Sequence, residues 1–172
     1  LYGLSKNSNN RLILYRIKND YGPLTKLYGP LLNDDISDNS ALLICDDDIH
    51  YLPKFVDTIY DEYIKDTSKM YNYCNNSIQG YKGYMVQKGL IKPILKMKRP
   101  KTCFRIDDTF IQLCVKKLEL PTECIKYDNN ADSDLYCNVD IINNNTPDWD
   151  KLSYDNRDEM YGKCEIDLKK IN

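Results

Sequence analysis

The chain has 172 residues, a formal net charge of -2, and 42% hydrophobic and 29% charged residues. This length predicts one domain with a buried core, and the charge lacks the basic excess that nucleic-acid binding requires. No apolar run approaches the roughly 20 residues that span a bilayer, and the first residues do not have the pattern of a signal peptide.

The seven cysteines are irregularly spaced, and no two of them form a CxxC pair. A zinc site is therefore weakly supported. Cys45 and Cys114 lie inside apolar runs, as core cysteines do. We expect a reducing, cytoplasmic compartment.

The first part of the chain predicts a strand, a turn and a short helix. Residues 11–17 are apolar and aromatic, as in a strand, and residues 19–23 carry a turn signal that ends in Gly-Pro. Residues 24–32 have apolar side chains at helical spacing, and Pro30 is expected to end or kink that helix. An acidic, polar loop follows at residues 33–40.

A short apolar run at residues 41–45 leads directly into Asp46, Asp47 and Asp48. The run predicts a buried strand, and ligands of open α/β sheets bind at the carboxyl ends of strands. Adjacent carboxylates repel each other by roughly 1 kcal/mol or more per close pair, so a divalent cation among them is favoured. The alternative is that the aspartates cap the next helix, since acidic residues favour helix N-termini.

The remaining elements follow from periodicity and turn residues. They begin with a helix from about residue 51 to 65, with Pro53 in its first turn, and a strand at 70–74. The glycines at 79–89 permit tight turns or close backbone approach, and residues 92–101 are a basic solvated stretch. A helix that Asp107 or Asp108 caps ends near 118, and a strand-like piece at 135–139 and a partly helical tail at 149–170 follow.

Three motifs follow one another along the chain: DYGPLTK at residues 20–26, ICDDDIHY at 44–51 and RIDDTF at 105–110. Together they resemble glycosyltransferases of the GT-A fold that use nucleotide-sugar donors, in the family-2-like viral and bacterial branch with a DYGPxTK segment and a DxD signature. The resemblance covers about residues 11–125, whereas residues 126–172 resemble nothing that we can place.

The resemblance implies one α/β domain over residues 1–172, with a GT-A-like (Rossmann-like), mostly parallel sheet flanked by helices. Residues from about 11 to 60 would form the nucleotide and metal half, and residues 70–125 the donor-sugar and acceptor half. A domain of this fold normally opens with a strand, a helix and a strand that hold the nucleobase. No clear match to that unit occurs here, so we expect the first strands to be missing or reduced.

By the same resemblance, Asp48 would ligate Mn²⁺ or Mg²⁺, and Asp46 would share that metal or approach the ribose. The role of Asp47 stays open. Such a cation neutralises the charge that develops on a diphosphate leaving group. Lys26 would lie near phosphate or ribose, in a segment that lines the nucleotide with Tyr21 and Gly22.

Asp108 would be the general base that takes the proton of the acceptor hydroxyl, and Asp107 would hold or orient it. The sequence alone does not choose between these two aspartates, and an ordinary pair of helix-capping residues is the alternative. No second carboxylate is placed as a nucleophile, so direct displacement with inversion is expected. Gly80 and Gly83 would lie beneath the donor sugar and the acceptor.

The expected function is metal-dependent transfer of a sugar, by default from a UDP-sugar, to a hydroxyl of a glycan or protein acceptor. One alternative is a degenerate, non-catalytic GT-A module that binds carbohydrate or a partner protein. Another is a metal-dependent phosphoryl hydrolase, which would need more ligands than a chain with one histidine suggests. The acceptor and the oligomeric state are not readable from the sequence.

Overall fold

The computed structural model describes residues 17–46, 49–73, 77–125, 136–138 and 154–171. The strands in these ranges are β1 (Ala41–Ile44), β2 (Ile49–Tyr51), β3 (Met70–Asn72), β4 (Tyr84–Gln87), β5 (Thr122–Cys124) and β6 (Tyr136–Asn138). The α-helices are α1 (Thr25–Leu32), α2 (Pro53–Tyr63), α3 (Lys88–Ile91), α4 (Asp107–Lys117) and α5 (Tyr154–Lys169). Short 3₁₀ turns lie at Gly22–Leu24, Gly80–Lys82, Lys92–Lys96 and Lys101–Cys103.

A mixed four-stranded sheet with the order β1-β4-β3-β5 forms the centre of the fold. β4 is antiparallel to both of its neighbours, whereas β3 and β5 are parallel. The strands β1, β3 and β5 therefore share one direction and end at the same edge, where β4 begins. β2 and β6 form a separate antiparallel pair.

Side chains alternate between the two faces of the sheet, as the pleat requires. Leu42, Tyr84 and Val86 belong to one apolar cluster, which also contains buried residues of α1, α4 and α5. Tyr71 and Met85 belong to a second cluster, in which Phe55, Ile59 and Tyr63 of α2 are also buried. Helices thus cover both faces, and the predicted α/β class is confirmed.

The expectation of a mostly parallel sheet is wrong, because only one of the three strand pairings is parallel. The reason lies in the connections between strands. A parallel pair needs a crossover of a dozen or more residues, usually a helix, and α4 lies between β3 and β5. Residues 73–83 join β3 to β4 with a 3₁₀ turn as the regular element in their described part, so β4 returns antiparallel.

Most predicted elements that fall on described residues are confirmed. The strand at 41–45 is β1, the helices predicted from Pro53 and near Asp107 are α2 and α4, and the tail contains α5. The strand predicted at 70–74 ends at Asn72, and the strand-like piece at 135–139 corresponds to β6. The strand predicted at 11–17 lies almost wholly outside the described residues.

The helix predicted at 24–32 is α1, which ends at Leu32, two residues after Pro30. Three local expectations need correction. Tyr51 is the last residue of β2 and not the start of the next helix, which begins at Pro53, and the glycine-rich stretch contains β4. The N-cap residue of α4 is Ile106, so Asp107 and Asp108 occupy the first helical turn instead of capping it.

Cys103 and Cys164 form a disulfide that joins the turn before α4 to the middle of α5. Both cysteines are fully buried, and Thr102 adds a hydrogen bond from its hydroxyl to Asp167 Oδ2 at 3.0 Å. Because disulfides belong to oxidising compartments, this pair does not support the expected reducing compartment. The described helices include none that is long and apolar enough to cross a bilayer.

Removal of this cross-link is expected to destabilise the fold. The two cysteines are 61 residues apart, and a loop of that length predicts a loss of about 4 kcal/mol in the free energy of unfolding. Urea unfolding of the oxidised protein and of Cys103→Ala/Cys164→Ala measures the difference. Reductant should lower the midpoint of the first and leave the second unchanged; equal midpoints without reductant would show that the bond contributes nothing.

Candidate functional site

Five residues from four separate parts of the chain meet at the edge where β1 and β3 end. Asp46 follows β1, Gly80 opens the turn that leads into β4, and Asp107 and Asp108 form the first turn of α4. Lys26 comes from the first turn of α1. We call these five residues the carboxylate cluster.

The Lys26 ammonium bridges two of the carboxylates. Its Nζ lies 2.5 Å from Asp46 Oδ1 and 2.9 Å from Asp107 Oδ2. Burial opposes the charge of Lys26, but the Asp107 and Asp46 carboxylates outweigh that effect and raise its pKa above the ordinary value. Lys26 is therefore charged at any physiological pH.

Asp108 has a different environment from its neighbour. Its Oδ1 accepts a hydrogen bond from the backbone N–H of Gly80 at 3.0 Å. Burial and then the negative charge of Asp107 raise the pKa of Asp108 to about 7, against the opposing effects of Lys26 and the Gly80 N–H. Asp108 is thus poised to exchange a proton near neutral pH, as a general acid or base must.

Gly80 allows the cluster to close because it has no side chain. A Cβ atom at this position would lie 2.4 Å from Lys26 Nζ, 2.8 Å from Asp46 Oδ1 and 3.3 Å from Asp108 Oδ1. The first two distances are shorter than real Cβ contacts. The glycine-rich sequence predicts tight turns or a close approach of the backbone here, and the structure shows charged groups packed closely around the backbone of Gly80.

Tyr84 lies next to the cluster at the start of β4 and is completely buried. Its hydroxyl has no hydrogen-bond partner among the described residues. Burial raises the pKa of Tyr84 well above its ordinary value, and the charges of Asp107, Asp108 and Asp46 add to that shift. Sequence reasoning missed Tyr84, because one tyrosine among 15 carries no signal of its own.

Asp46 also makes a hydrogen bond to β2. Its backbone N–H donates to the Tyr51 hydroxyl at 3.0 Å. Asp47 and Asp48, which were predicted to contribute to the same site, lie outside the described residues. His50, which belongs to the same motif, is exposed on β2.

Tyr21 and Gly22, predicted to line the nucleotide, pack against the segment that precedes α4. The Tyr21 carbonyl accepts a hydrogen bond from Arg99 Nη1 at 2.8 Å. Gly22 has φ +60°, and a Cβ there would lie 2.7 Å from the Phe104 carbonyl oxygen. Arg99 also stacks on the Phe104 ring at 5.1 Å. Arg99 was predicted to lie in a solvated basic stretch, but these contacts show that it joins the Tyr21 turn to the segment before α4.

A cavity of about 510 Å³ lies beside the Tyr21 turn and not over the cluster. Its lining comes from residues 17–20, α1 and Ile36, and includes neither Lys26 nor the aspartates. The volume is in the range of small-molecule pockets, but the cavity is separate from the groups that could perform chemistry.

The donor atoms of the cluster suit a hard divalent cation, because they are carboxylate oxygens. Asp46 Oδ1 and Asp107 Oδ2 already converge on one cation, the Lys26 ammonium. The described residues contain no group of three or more His, Cys, Asp or Glu side chains arranged to hold a metal. Of the two predicted ligands, the structure describes Asp46 and not Asp48.

Comparisons with protein families, curated proteins and solved structures find no match for this chain.

Substitution of Gly80 tests the packing of the cluster. Gly80→Ala is expected to lower the free energy of unfolding by about 1–2 kcal/mol, because its methyl group displaces Lys26 and Asp46 from each other. Gly162→Ala in α5 is the matched control, because nothing lies within 4 Å of its Cβ. Alanine in an open helical position should stabilise by up to about 1 kcal/mol. Chemical denaturation of both variants measures the difference; equal effects would contradict the close packing.

The raised pKa of Asp108 predicts that the stability of the fold depends on pH. The folded state holds the Asp108 proton up to a pKa of about 7, above the unfolded value of 3.8, so its contribution to stability is lost as pH rises between them. Asp108→Asn should therefore gain stability relative to the wild type as pH rises from about 5 to about 8, by on the order of 2 kcal/mol across that range. Urea midpoints across this range measure the effect; a pH-independent difference would refute it.

Proposed function

We propose that this chain is a GT-A-like, metal-dependent, inverting glycosyltransferase that transfers a sugar from a nucleotide-sugar, by default a UDP-sugar, to an acceptor hydroxyl. The observation that carries the proposal is the convergence of Lys26, Asp46, Asp107 and Asp108 around the backbone of Gly80. These residues come from the three motifs that resemble the family or, for Gly80, from its glycine-rich stretch.

Asp108, and not Asp107, is the better candidate for the general base. The Asp107 side chain is only 10% exposed, and its Oδ2 already contacts the Lys26 ammonium at 2.9 Å, so it is poorly placed to meet an acceptor hydroxyl. Asp108 accepts a hydrogen bond from the Gly80 N–H and has a pKa of about 7. Its ionised and protonated forms are therefore both populated near neutral pH. Asp107 is then a positioning residue, because it holds Lys26.

The reaction at this site is a single displacement. The acceptor oxygen attacks the anomeric carbon of the donor sugar and forms the new glycosidic bond. Asp108 accepts the hydroxyl proton, and the bond between the anomeric carbon and the phosphate oxygen breaks with its electron pair going to the nucleoside diphosphate. Attack from the side opposite the leaving group inverts the anomeric configuration.

Manganese or magnesium is part of the proposal, with Asp46 and Asp48 as its protein ligands. When bound, such an ion supplies a positive charge that stabilises the diphosphate leaving group. Tyr21 and Gly22 fit a supporting role, since Arg99 and Phe104 hold their turn against the segment that leads into α4. The acceptor is a glycan or protein hydroxyl by the same family resemblance.

The test is release of UDP and transfer of labelled sugar from a panel of UDP-sugars in the presence of Mn²⁺. Asp108→Asn should reduce kcat by roughly 10²–10⁴-fold, because general-base assistance is lost. Asp57→Asn on the exposed face of α2 is the matched control and should retain wild-type turnover. Full activity of Asp108→Asn would remove Asp108 from its proposed role.

The pH profile is a further expected outcome. Because the Asp108 carboxylate must be ionised to accept a proton, kcat/KM should rise with pH through about 7 and reach a plateau above it. A wild-type protein that binds Mn²⁺ and UDP but transfers no sugar from any donor would favour the alternative, a non-catalytic module that binds carbohydrate or a partner protein.

A further inference from the structure

Lys26 occupies the place of a cation between two carboxylates. Its Nζ is within 3 Å of one oxygen of Asp46 and one of Asp107, and the cluster closes around it because Gly80 has no side chain. An ammonium ion is a compact point charge with no geometric demand beyond hydrogen bonding, so it can stand where a small metal ion would. The structure therefore contains its own counter-ion for Asp46.

The two ion pairs of Lys26 differ in their exposure to solvent. The Asp46 side chain is 27% exposed and the Asp107 side chain 10%, while Lys26 itself is 22% exposed. A cation from solution therefore reaches the Asp46 side of the cluster more easily than the Asp107 side. The flexible four-carbon stem of lysine lets its ammonium move while its backbone stays in α1.

The negative charge of the cluster exceeds the positive charge of Lys26, so a divalent cation would be favoured there. One ammonium group faces two carboxylates, those of Asp46 and Asp107. The Tyr84 hydroxyl, completely buried beside these groups, has no hydrogen-bond partner among the described residues. The site therefore has excess negative charge and an unused polar group.

We propose that Lys26 is an exchangeable counter-ion: a divalent cation and the Lys26 ammonium exclude each other on Asp46. Binding of the cation breaks the pair with Asp46 and leaves Lys26 held by Asp107 alone, more open to solvent and to anionic ligands. The inference rests on the proposed function for the identity of the cation. It differs from the sequence-based expectation, in which Lys26 meets phosphate or ribose without any link to the carboxylates.

Calorimetric titration with Mn²⁺ alone tests the exclusion. Lys26→Met removes the competing ammonium, and its dissociation constant for Mn²⁺ should fall at least about tenfold below that of the wild type. Lys98→Met is the matched control, since Lys98 is exposed and lies outside the cluster, and it should bind as the wild type does. Binding by Lys26→Met that is no tighter than by the wild type, or absent from both, would overturn the proposal.

A second measurement follows Lys26 in the unmodified protein, because loss of a positive charge alone also strengthens cation binding and because the variant could fail to fold. Brief acetylation with acetic anhydride, read by mass spectrometry, reports how accessible each lysine is. Saturating Mn²⁺ should increase acetylation of Lys26 several-fold and leave Lys98 unchanged. Unchanged or reduced acetylation of Lys26 would overturn the exchange.

These readouts separate the inference from the function on which it rests. Tighter Mn²⁺ binding by Lys26→Met together with Mn²⁺-dependent acetylation would support the exchange even if no UDP-sugar is turned over. Sugar transfer by the wild type with Mn²⁺-insensitive Lys26 would support the function and refute the exchange.

Discussion

One partly buried ammonium group, that of Lys26, holds the carboxylate cluster together. Asp46, Asp107 and Asp108 would repel each other in a partly desolvated setting, and the charge of Lys26 offsets that repulsion through its pairs with Asp46 and Asp107. Removal of Lys26 would leave two neighbouring carboxylates without a counter-charge. The two ion pairs also fix the separation of α1, the end of β1 and the start of α4.

The direction of β4 brings the remaining part of the site to the same edge. Because β4 runs against β1 and β3, its first residue lies where those strands end, and the Gly80 turn that precedes it faces Asp46. A strand in the parallel direction would have placed that turn at the opposite edge. The reversal that contradicts a mostly parallel sheet is therefore what supplies the Gly80 N–H to Asp108.

The segment between α3 and α4 acts as a frame for the catalytic candidates. Arg99 ties it to the Tyr21 turn, Phe104 packs under Gly22, and the Cys103–Cys164 disulfide ties it to α5. Arg99, Cys103 and Phe104 all lie within eight residues of Asp107, at the start of α4. The frame gives the first turn of α4 a defined position without a side-chain cap, since Ile106 makes none.

The amino-acid sequence by itself determined the local elements: the apolar run of β1, the periodicity of α2 and α4, and the motifs that contain Lys26, Asp46, Asp107 and Asp108. These follow from short-range patterns, which depend on neighbours a few residues away. Only the tertiary structure decided the direction of β4, the pairing of Cys103 with Cys164, and the difference between Asp107 and Asp108. Each of these depends on residues far apart in the chain: Lys26 meets Asp107 across 81 positions, and no local pattern records which of two adjacent carboxylates a distant ammonium will contact.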